Sequence, residues 1–388
     1  MKILAIETSC DETAVSLIET DGTNFSVLGD SLFSQVEMHK EYGGVYPNVA
    51  KREHARNLTP LLLKTLKEAN LFNESEENQL SKELVDELKE TLSREPELFI
   101  HLVSFLSKTE KPEIDVIAVT SGPGLEPALW VGINFSKALS RVWELPLVPV
   151  NHMEGHIISS LLTQQNEKSY DISYDLFPSI ALLISGGHTE LVLVGSIGDH
   201  VVIGETRDDA VGEAFDKVAR MMDLGYPGGP EISKLAESAR EENLEQKYQL
   251  PRPMIHGENF DFSFSGLKTA VLYLLKEIGK PTDEDKKIIA REFEDAATEV
   301  LISKTRKAVE EHGAQSVIVG GGVSANKNIR KEFDKLEDIK IYIPDTKLST
   351  DNAIMIAAAA YFKLKSGAAL PDPDEIVADG NLALYPLN

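Results

Sequence analysis

The chain has 388 residues, of which 42% are hydrophobic and 26% charged, values typical of a globular protein and not of a disordered one. Its 63 acidic and 39 basic residues give a formal net charge of −24, which opposes nonspecific binding to nucleic acid. The single cysteine, Cys10, excludes an intrachain disulfide. Since no secretory pattern and no apolar run near the ~20 residues of a membrane span are present, we expect a cytoplasmic protein without membrane attachment.

The N-terminal segment predicts two strands joined by a polar turn. Residues 2–7 and 14–19 are apolar, residues 8–13 are rich in hydroxyl and carboxyl groups, and Asp21-Gly22 is a hairpin signal. Such a turn could cradle a phosphate, although Ser and Thr also populate ordinary turns.

A basic helix is predicted after the loop Tyr42-Gly43-Gly44. It carries Lys51, Arg52 and Arg56, and this face is either an ordinary solvated surface or a local contact for RNA. Residues 70–112 then predict a helical hairpin inserted between core elements, because 81–94 and 97–108 are amphipathic. A buried strand over 115–120 and a helix over 128–141 follow.

The central motif is Asn151-His152-Met153-Glu154-Gly155-His156, directly after a predicted strand over 147–150. We expect Asn151 to cap a helix and Glu154 to complete a capping box. The spacing of four places both imidazoles on one helix face, as a pair of metal ligands requires. In zinc peptidases of the H-E-x-x-H type the glutamate follows the first histidine, whereas Glu154 would point away from both rings, so the motif does not favour a peptidase.

The second half of the chain repeats the organisation of the first. After a predicted linker over 170–178, a buried strand over 179–184 ends in Ser185-Gly186-Gly187-His188, and a strand over 190–194 returns. Two strand–turn–strand segments, one in each half, indicate a duplicated fold with a nucleotide between two lobes. The glycines would let backbone N–H groups approach phosphate oxygens.

The remaining elements add candidate ligand contacts. A helix carrying Asp216 and a glycine turn at 228–229 could hold a ribose, or could be a capped surface helix and its stop. A capped helix start over 262–269, a long helix over 286–312 and a strand over 316–319 precede three glycines at 320–322, where a flat ligand such as adenine could approach. After a strand over 341–344, Asp351 is either the N-cap of an alanine-rich helix over 353–363 or a carboxylate ligand beside His152 and His156.

Together these motifs resemble the TsaD/YgjD family of tRNA threonylcarbamoyladenosine synthase subunits, formerly named O-sialoglycoprotein endopeptidases. The motifs that carry the resemblance span nearly the whole chain in the family's order: Glu7-Thr8-Ser9-Cys10-Asp11-Glu12-Thr13, Gly43-Gly44-Val45, Gly122-Pro123-Gly124, Asn151-His152-Met153-Glu154-Gly155-His156, Ser185-Gly186-Gly187-His188-Thr189, Gly212-Glu213-Ala214-Phe215-Asp216-Lys217, Phe264-Ser265-Gly266-Leu267-Lys268-Thr269, Gly321-Gly322-Val323-Ser324-Ala325-Asn326 and Thr350-Asp351-Asn352.

The resemblance implies an α/β, actin/Hsp70-like (ASKHA) duplicated fold with mixed sheets and a nucleotide cleft between two lobes. We accordingly expect an N-terminal lobe over 1–174, which includes the helical insertion, and a C-terminal lobe over 178–388 whose last helix can pack back on the first lobe. The implied reaction transfers a threonylcarbamoyl group from threonylcarbamoyl-AMP to N6 of adenosine 37 in tRNAs that read codons beginning with A. It forms t6A and releases AMP.

The resemblance also implies roles for individual residues. His152, His156 and Asp351 match the ligands of one divalent metal ion, Fe(II) or Zn. The residues that match positions facing the adenylate are Leu183, Ile184, Ser185, Gly186, Gly187, Asp216, Gly229 and Asn326. No general base is implied, and Glu12 and His188 are the candidates. Contact with tRNA is expected at Lys51, Arg52 and Arg56.

In bacterial relatives the implied partners are a paralogous subunit, TsaB, and an ATPase, TsaE, while TsaC makes the intermediate. Three departures from the family pattern bear on partner contacts: the length of 70–112, the sequence Glu126-Pro127-Ala128, and Asn48 at a position where glutamate is common. Three other classes stay open, namely a metallopeptidase, a small-molecule carbamoyltransferase and a non-catalytic actin-like scaffold. An intact metal triad argues against the scaffold, which needs no metal.

Overall fold

A computed structural model describes residues 1–75, 80–173 and 177–384 of the chain. The strands are β1 (Lys2–Glu7), β2 (Glu12–Thr20), β3 (Asn24–Ser34), β4 (Val116–Gly122), β5 (Leu147–Asn151), β6 (Leu162–Asn166), β7 (Ser169–Ile172), β8 (Ser179–Ile184), β9 (Thr189–Ser196), β10 (Asp199–Glu205), β11 (Ser316–Gly320) and β12 (Lys340–Tyr342). The α-helices are α1 (Val36–His39), α2 (Pro47–Glu68), α3 (Lys82–Thr91), α4 (Pro96–Leu106), α5 (Glu126–Trp143), α6 (His152–Leu161), α7 (Val211–Met221), α8 (Gly228–Glu241), α9 (Ser265–Ile278), α10 (Asp283–His312), α11 (Lys327–Phe333), α12 (Thr346–Ser349) and α13 (Ala353–Lys365). Across the ranges given above, every helix is too short or too polar to cross a membrane.

The chain forms two compact units. The first comprises Met1–Glu37, Val45–Ser173 and Asp351–Asn388, and the second comprises Met38–Gly44 and Tyr174–Thr350. The sequence-based division placed 178–388 in one lobe, whereas the last segment groups with the first unit. The reason is α13, whose alanine-rich surface is almost entirely buried and packs against β1, β2 and α6.

The first unit is built on a seven-stranded sheet with the order β5-β4-β1-β2-β3-β7-β6. β1, β2 and β3 form an antiparallel meander, and β4 and β5 continue the sheet in parallel on the other side of β1. The expected hairpin turn lies between β2 and β3, where Gly22 has a φ of +103°. The predicted linker over 170–178 is wrong in its first part, because Tyr170 is buried in β7 and pairs with Phe25 of β3. Residues 174–176 of that linker lie outside the described chain.

The second unit repeats this topology on a five-stranded sheet with the order β10-β9-β8-β11-β12. Again three antiparallel strands are followed by two parallel ones, β11 beside β8 and β12 beside β11. The same five-strand order in both units confirms the duplicated α/β, actin/Hsp70-like fold class. The long helix α10 begins with a complete capping box between Thr282 and Asp285 and ends at Gly313, which adopts a φ of +60°.

The predicted helical insertion is confirmed as α3 and α4. Ser81 caps α3 by accepting a hydrogen bond from the Leu84 N–H group. Leucines from both helices are buried in the same hydrophobic core as β1 and α5. The insertion is therefore an integral part of the first unit, because its apolar faces contribute to the core of that unit.

Candidate functional site

The start of α6 places two histidines side by side in the interior of the first unit. Asn151 is the N-cap, as predicted, and its side-chain oxygen accepts hydrogen bonds from the N–H groups of Met153 (2.9 Å) and Glu154 (3.3 Å). All ten residues of α6 are buried. The rings of His152 and His156 lie edge to face, with their centroids 4.7 Å apart and their planes at 86°.

Asp351 completes this cluster from the segment that precedes α13. The N-cap of α13 is Asn352, which accepts a hydrogen bond from the Met355 N–H group at 2.9 Å, so the interpretation of Asp351 as the cap is wrong. Asp351 Oδ1 instead lies 3.3 Å from Nε2 of His152 and 3.2 Å from Nε2 of His156.

The cluster fits a divalent metal ion. The three ligand atoms lie within 4.8 Å of one another. Both ring nitrogens of His156 are buried, Nδ1 has no hydrogen bond to any described residue, and Nε2 lies 3.2 Å from Asp351 Oδ1 without hydrogen-bond geometry. Ligands held tetrahedrally at about 2.0–2.1 Å from zinc are roughly 3.4 Å apart, close to the observed nitrogen–oxygen distances. Two imidazoles and one carboxylate leave coordination positions open for a substrate.

Glu7, at the end of β1, holds the first histidine in orientation. Its Oε2 accepts hydrogen bonds from His152 Nδ1 at 3.0 Å and from the Thr120 hydroxyl at 2.6 Å, and the residue is fully buried. Because Nδ1 is engaged, Nε2 of His152 is directed toward Asp351, the arrangement in which carboxylates orient metal-binding histidines. Sequence analysis missed this role, although a carboxylate closing a buried strand is a usable signal.

The electrostatics of the cluster follow from its burial. Burial alone would lower the pKa of His152, but the Asp351 and Glu7 carboxylates raise it well above its usual value. Burial lowers the pKa of His156. Burial would raise the pKa of Asp351, yet the two imidazoles, His152 foremost, hold it far below its usual range. His152 and Asp351 thus stabilise each other as an imidazolium–carboxylate pair, and a divalent cation bound between them would take the place of the imidazole proton.

Glu154 has a different environment. Its side chain leaves one buried oxygen without a hydrogen bond to the described residues, so the predicted capping box does not form. Burial raises the pKa of Glu154 to about 7, and the nearby charge that opposes this shift is Lys363. Lys363 in turn donates a hydrogen bond to the Pro149 carbonyl at 2.7 Å. Because the charge that acts on Glu154 is Lys363 and not an imidazole, this environment weakens the peptidase interpretation, in which the glutamate would serve the histidines.

In the second unit, the turn after β8 presents backbone rather than side chains. Ser185 closes the turn: its N–H group donates to the His188 carbonyl at 2.9 Å, and its hydroxyl accepts from the His188 N–H group at 3.0 Å. Gly186 and Gly187 are exposed, and a Cβ atom added to either would meet no heavy atom within 4 Å. The turn is therefore ordered and open to a ligand.

Glycines allow neighbouring segments to pack closely against this turn and the end of β8, and the predicted ribose contact lies on one of these segments. A Cβ at Gly212 would lie 2.5 Å from the Ser185 carbonyl oxygen, so glycine lets α7 pack against the turn. Farther along α7, Asp216 accepts a hydrogen bond from the Gly228 N–H group at 2.7 Å, next to Gly229. Gly321, with a φ of +89°, packs equally closely on Ile184.

Leu183, Ile184 and Asn326, like Ser185 and Asp216, have side chains that contact other parts of the protein. Leu183 and Ile184 are fully buried, so only their backbone could face a ligand. Asn326 caps α11 by accepting from the Ile329 N–H group at 3.0 Å, and its amide group donates to Ser233 and Glu294 at 2.8 Å each. The predicted capped start at 262–269 also differs, because Asp208, from a distant segment, accepts the N–H groups of Phe264 and Ser265 in place of a local cap.

The two candidate bases lie in different units. Glu12 begins β2 in the first unit and accepts a hydrogen bond from the Ser34 hydroxyl at 3.1 Å. Burial, and then the carboxylates of Asp11 and Asp351, raise the pKa of Glu12 well above its usual value. His188 belongs to the glycine turn of the second unit.

The predicted tRNA cluster on α2 is largely neutralised by nearby carboxylates. Arg52 and Arg56 both pair with Glu53, at 3.3 and 3.1 Å, and Lys51 pairs with the buried Glu95 at 3.1 Å. Glu95 belongs to the insertion, whose acidic side chains the sequence did not place beside α2. These cations are therefore less available to phosphate groups than their sequence pattern indicated.

Comparisons with known proteins agree with the geometry. The profile of the TsaD family, tRNA N6-adenosine threonylcarbamoyltransferase, matches residues 26–75 and 102–358. A protein of that name from Persephonella marina is 42% identical over 378 residues, covering 96% of this chain and 93% of the relative. One from Ralstonia pickettii is 40% identical over 376 residues, covering 95% and 93%.

Among solved structures, full-length HypF in its phosphate- and nucleotide-bound form aligns with a TM-score of 0.52 at 12% identity. The alignment covers 95% of this chain and 47% of that protein. At this identity the likeness supports the fold alone.

Proposed function

Because the chain belongs to the tRNA N6-adenosine threonylcarbamoyltransferase family, we propose that its His–Asp cluster and its glycine turn serve one reaction. That reaction transfers the threonylcarbamoyl group to N6 of adenosine 37 in tRNAs reading codons that begin with A, forming t6A. With threonylcarbamoyl-AMP as the donor, a bond forms between N6 and the carbamoyl carbon. The bond from that carbon to the phosphate oxygen breaks, N6 loses a proton and AMP leaves.

The observation that carries this proposal is the assembled cluster of His152, His156 and Asp351 within a member of this family. A non-catalytic scaffold has no need of such a site. A divalent ion, Fe(II) or Zn, bound there would act as a Lewis acid toward the donor. Glu7 fixes the orientation of His152, and the buried α6 keeps water away from the two imidazoles.

In the second unit, the glycine turn is suited to the adenylate part of the donor. The Gly186 N–H group can donate to a phosphate oxygen, and the Gly187 N–H group, which donates to the Ser185 hydroxyl at 3.3 Å, can be shared with one. Asp216 beside Gly229 can accept from ribose hydroxyls. Asn326 lies on the adenine side in this proposal, held by its own hydrogen bonds. Glu12 and His188 remain the candidates to accept the N6 proton.

The partners follow from the same proposal. The acceptor is tRNA, the intermediate comes from a TsaC-like enzyme, and a TsaB-like paralogue and a TsaE-like ATPase assist the reaction in the cytoplasm. Such partners would supply the positive charge that a chain of net charge −24 lacks.

The test is nucleoside analysis by mass spectrometry. The purified chain is incubated with tRNA, threonine, bicarbonate, ATP and the intermediate-forming enzyme, with and without the two partner proteins. We expect t6A, and none from a matched reaction without the chain. Absence of t6A under both conditions, or formation of t6A without the chain, would contradict the proposal.

A further inference from the structure

A cleft in the first unit lies where the insertion meets α2 and α5. It has a volume of about 280 Å³ and is lined by Lys51, Arg94, Glu126, Pro127 and Trp130. Lys51 comes from α2 and Arg94 from the segment between α3 and α4, while the other three residues form the first turns of α5.

One side of this cleft comes from a segment that the family profile does not match. Arg94 lies in residues 76–101, which the profile leaves unmatched, whereas Lys51, Glu126, Pro127 and Trp130 lie in matched ranges. None of these residues belongs to the His–Asp cluster. Arg94 therefore adds a cation to this surface from a segment that the family profile does not match.

The chemistry of the cleft combines an aromatic ring with cations. Trp130 is half-buried, with the Arg94 guanidinium 5.4 Å and the Lys137 ammonium 5.8 Å from its ring centroid. Among the residues described, Arg94 forms no ion pair with a carboxylate, unlike Arg52 and Arg56 on α2. Glu126 adds an exposed carboxylate at the edge of the cleft.

We propose that this cleft binds an unpaired nucleotide of the RNA substrate, a second contact beside the modified adenosine. The base stacks on Trp130, phosphate oxygens accept hydrogen bonds from Arg94, and the Glu126 carboxylate accepts from an amino group of the base. The proposal rests on the proposed function, which makes tRNA the substrate. The volume is close to the roughly 300 Å³ at which small-ligand pockets begin.

RNA suits this surface better than an acidic protein segment does. A protein carboxylate would use Arg94 but would gain nothing from the flat face of Trp130 and would meet Glu126 as a like charge. A nucleotide supplies an anion, a flat ring and, in three of the four bases, an amino donor. Stacking is also little affected by the long-range repulsion from the acidic chain, because it needs no net charge.

The test uses the two tryptophans of the chain, Trp130 and Trp143. Trp143 is 2% exposed, so Trp143→Phe leaves Trp130 as the sole reporter without altering the cleft. We expect tRNA at low ionic strength to quench this fluorescence saturably, in step with the mobility shift of the complex. Arg94→Gln should weaken tRNA binding about three- to tenfold and make the salt dependence shallower by roughly one phosphate contact.

Trp130→Leu should weaken tRNA binding by about ten- to a hundredfold, and Trp130→Phe, which keeps a stacking ring, much less. Lys89→Gln, an exposed charge on α3 outside the cleft, is the matched control and should bind as the unmodified chain does. Arg94 is exposed, so its variant should fold even if the Trp130→Leu variant does not, and thermal unfolding of each variant checks this.

Three outcomes would overturn the assignment. In the first, Arg94→Gln and folded Trp130→Leu bind tRNA as tightly as the unmodified chain, and in the second, Trp130 fluorescence does not change at saturating tRNA. In the third, both variants keep their affinity for tRNA but no longer bind a purified partner protein. Nucleoside analysis of tRNA incubated with the unmodified chain separates the two proposals. Absence of t6A there contradicts the proposed function, whereas t6A formation together with unaffected variants contradicts only the cleft.

Discussion

The His–Asp cluster of the first unit and the glycine turn of the second unit are built in opposite ways. The cluster consists of side chains withdrawn from solvent, with an ionised carboxylate that is costly to bury without a balancing charge. The turn consists of exposed backbone with nothing beyond Cα at Gly186 and Gly187. Removing atoms should therefore disable the first region, whereas adding atoms should disable the second.

The largest expected effect is on metal content. Replacing both His152 and His156 with alanine removes two of the three ligand atoms, so the bound metal should fall from about one ion per chain to nearly none. Elemental analysis of the purified protein measures this. His101→Ala, at an exposed histidine of α4, is the control and should keep its metal. Full metal retention in a folded double variant would refute the assignment of the cluster.

The next effect concerns the residue that orients His152. Glu7→Gln keeps the size of the side chain but removes the charge that accepts from Nδ1, so metal affinity should fall by about 10- to 100-fold. Competition with a chelator of known affinity measures the change, and Glu19→Gln, exposed on β2, serves as the control. An unchanged affinity would mean that Glu7 only fills space in the core.

The comparable change in the second unit is Asp216→Ala. Loss of a charge-assisted hydrogen bond to ribose should weaken AMP binding by roughly 1.5–3 kcal/mol, about ten- to a hundredfold. Asp216 also accepts the Gly228 N–H group, so Asp216→Asn, which keeps a neutral acceptor there, separates binding from helix capping. Calorimetry measures the AMP affinity of the unmodified chain and of both variants. Equal affinity in all three proteins would show that the ribose is held elsewhere.

Substitutions at two glycines test whether the turn binds phosphate because no side chain occupies the space around it. Gly186→Val should block phosphate approach while changing the free energy of unfolding by no more than about 0.5 kcal/mol, because nothing surrounds the added atoms. Gly321→Ala should instead destabilise the fold by about 2 kcal/mol, since its φ is +89° and its Cβ would lie 2.4 Å from the Ile184 carbonyl oxygen. Denaturant unfolding and AMP titration on both variants should separate them, and a stable Gly186→Val protein with normal AMP affinity would argue against the phosphate role.

The smallest effect is expected at the α2 cluster. Charge reversal of Arg52 and Arg56 to glutamate should weaken tRNA binding only a few-fold and spare AMP binding, because Glu53 already offsets both arginines. The salt dependence should change by about 0.7–0.9 per lost phosphate contact. Tight tRNA binding by the chain alone, indifferent to these reversals, would place the RNA surface elsewhere.

The sequence predicted most of the fold, because its signals are local. The hydrophobic pattern of the sequence predicts buried strands such as β8 and the amphipathic insertion. Hydrogen bonding of a side chain to the nearby backbone predicts the cap Asn151. The motifs also identified His152, His156 and Asp351. The residues alone left Asp351 as either an N-cap or a third ligand, and the family resemblance favoured the ligand, since Asp351 lies 195 positions beyond His156.

The errors concern partners that are distant in sequence. Asp351 has the residue type of an N-cap, yet Asn352 caps the helix and leaves Asp351 facing the histidines. Glu154 has the position for a capping box, yet burial beside Lys363 decides its environment. The basic face of α2 looked open because the carboxylate of Glu95, 44 residues beyond Lys51, could not be placed from sequence. In each case tertiary contact overrides a correct local rule.

The most direct test of the account measures t6A formation against metal content. The chain is stripped with a chelator, dialysed and supplied with one equivalent of Fe(II) or Zn, and t6A is quantified by nucleoside mass spectrometry beside the variant lacking His152 and His156. The account predicts that stripping abolishes t6A formation, that one of the two metals restores it in the unmodified chain, and that neither restores it in the variant. Full t6A formation by the metal-free chain, or by the variant, would contradict it.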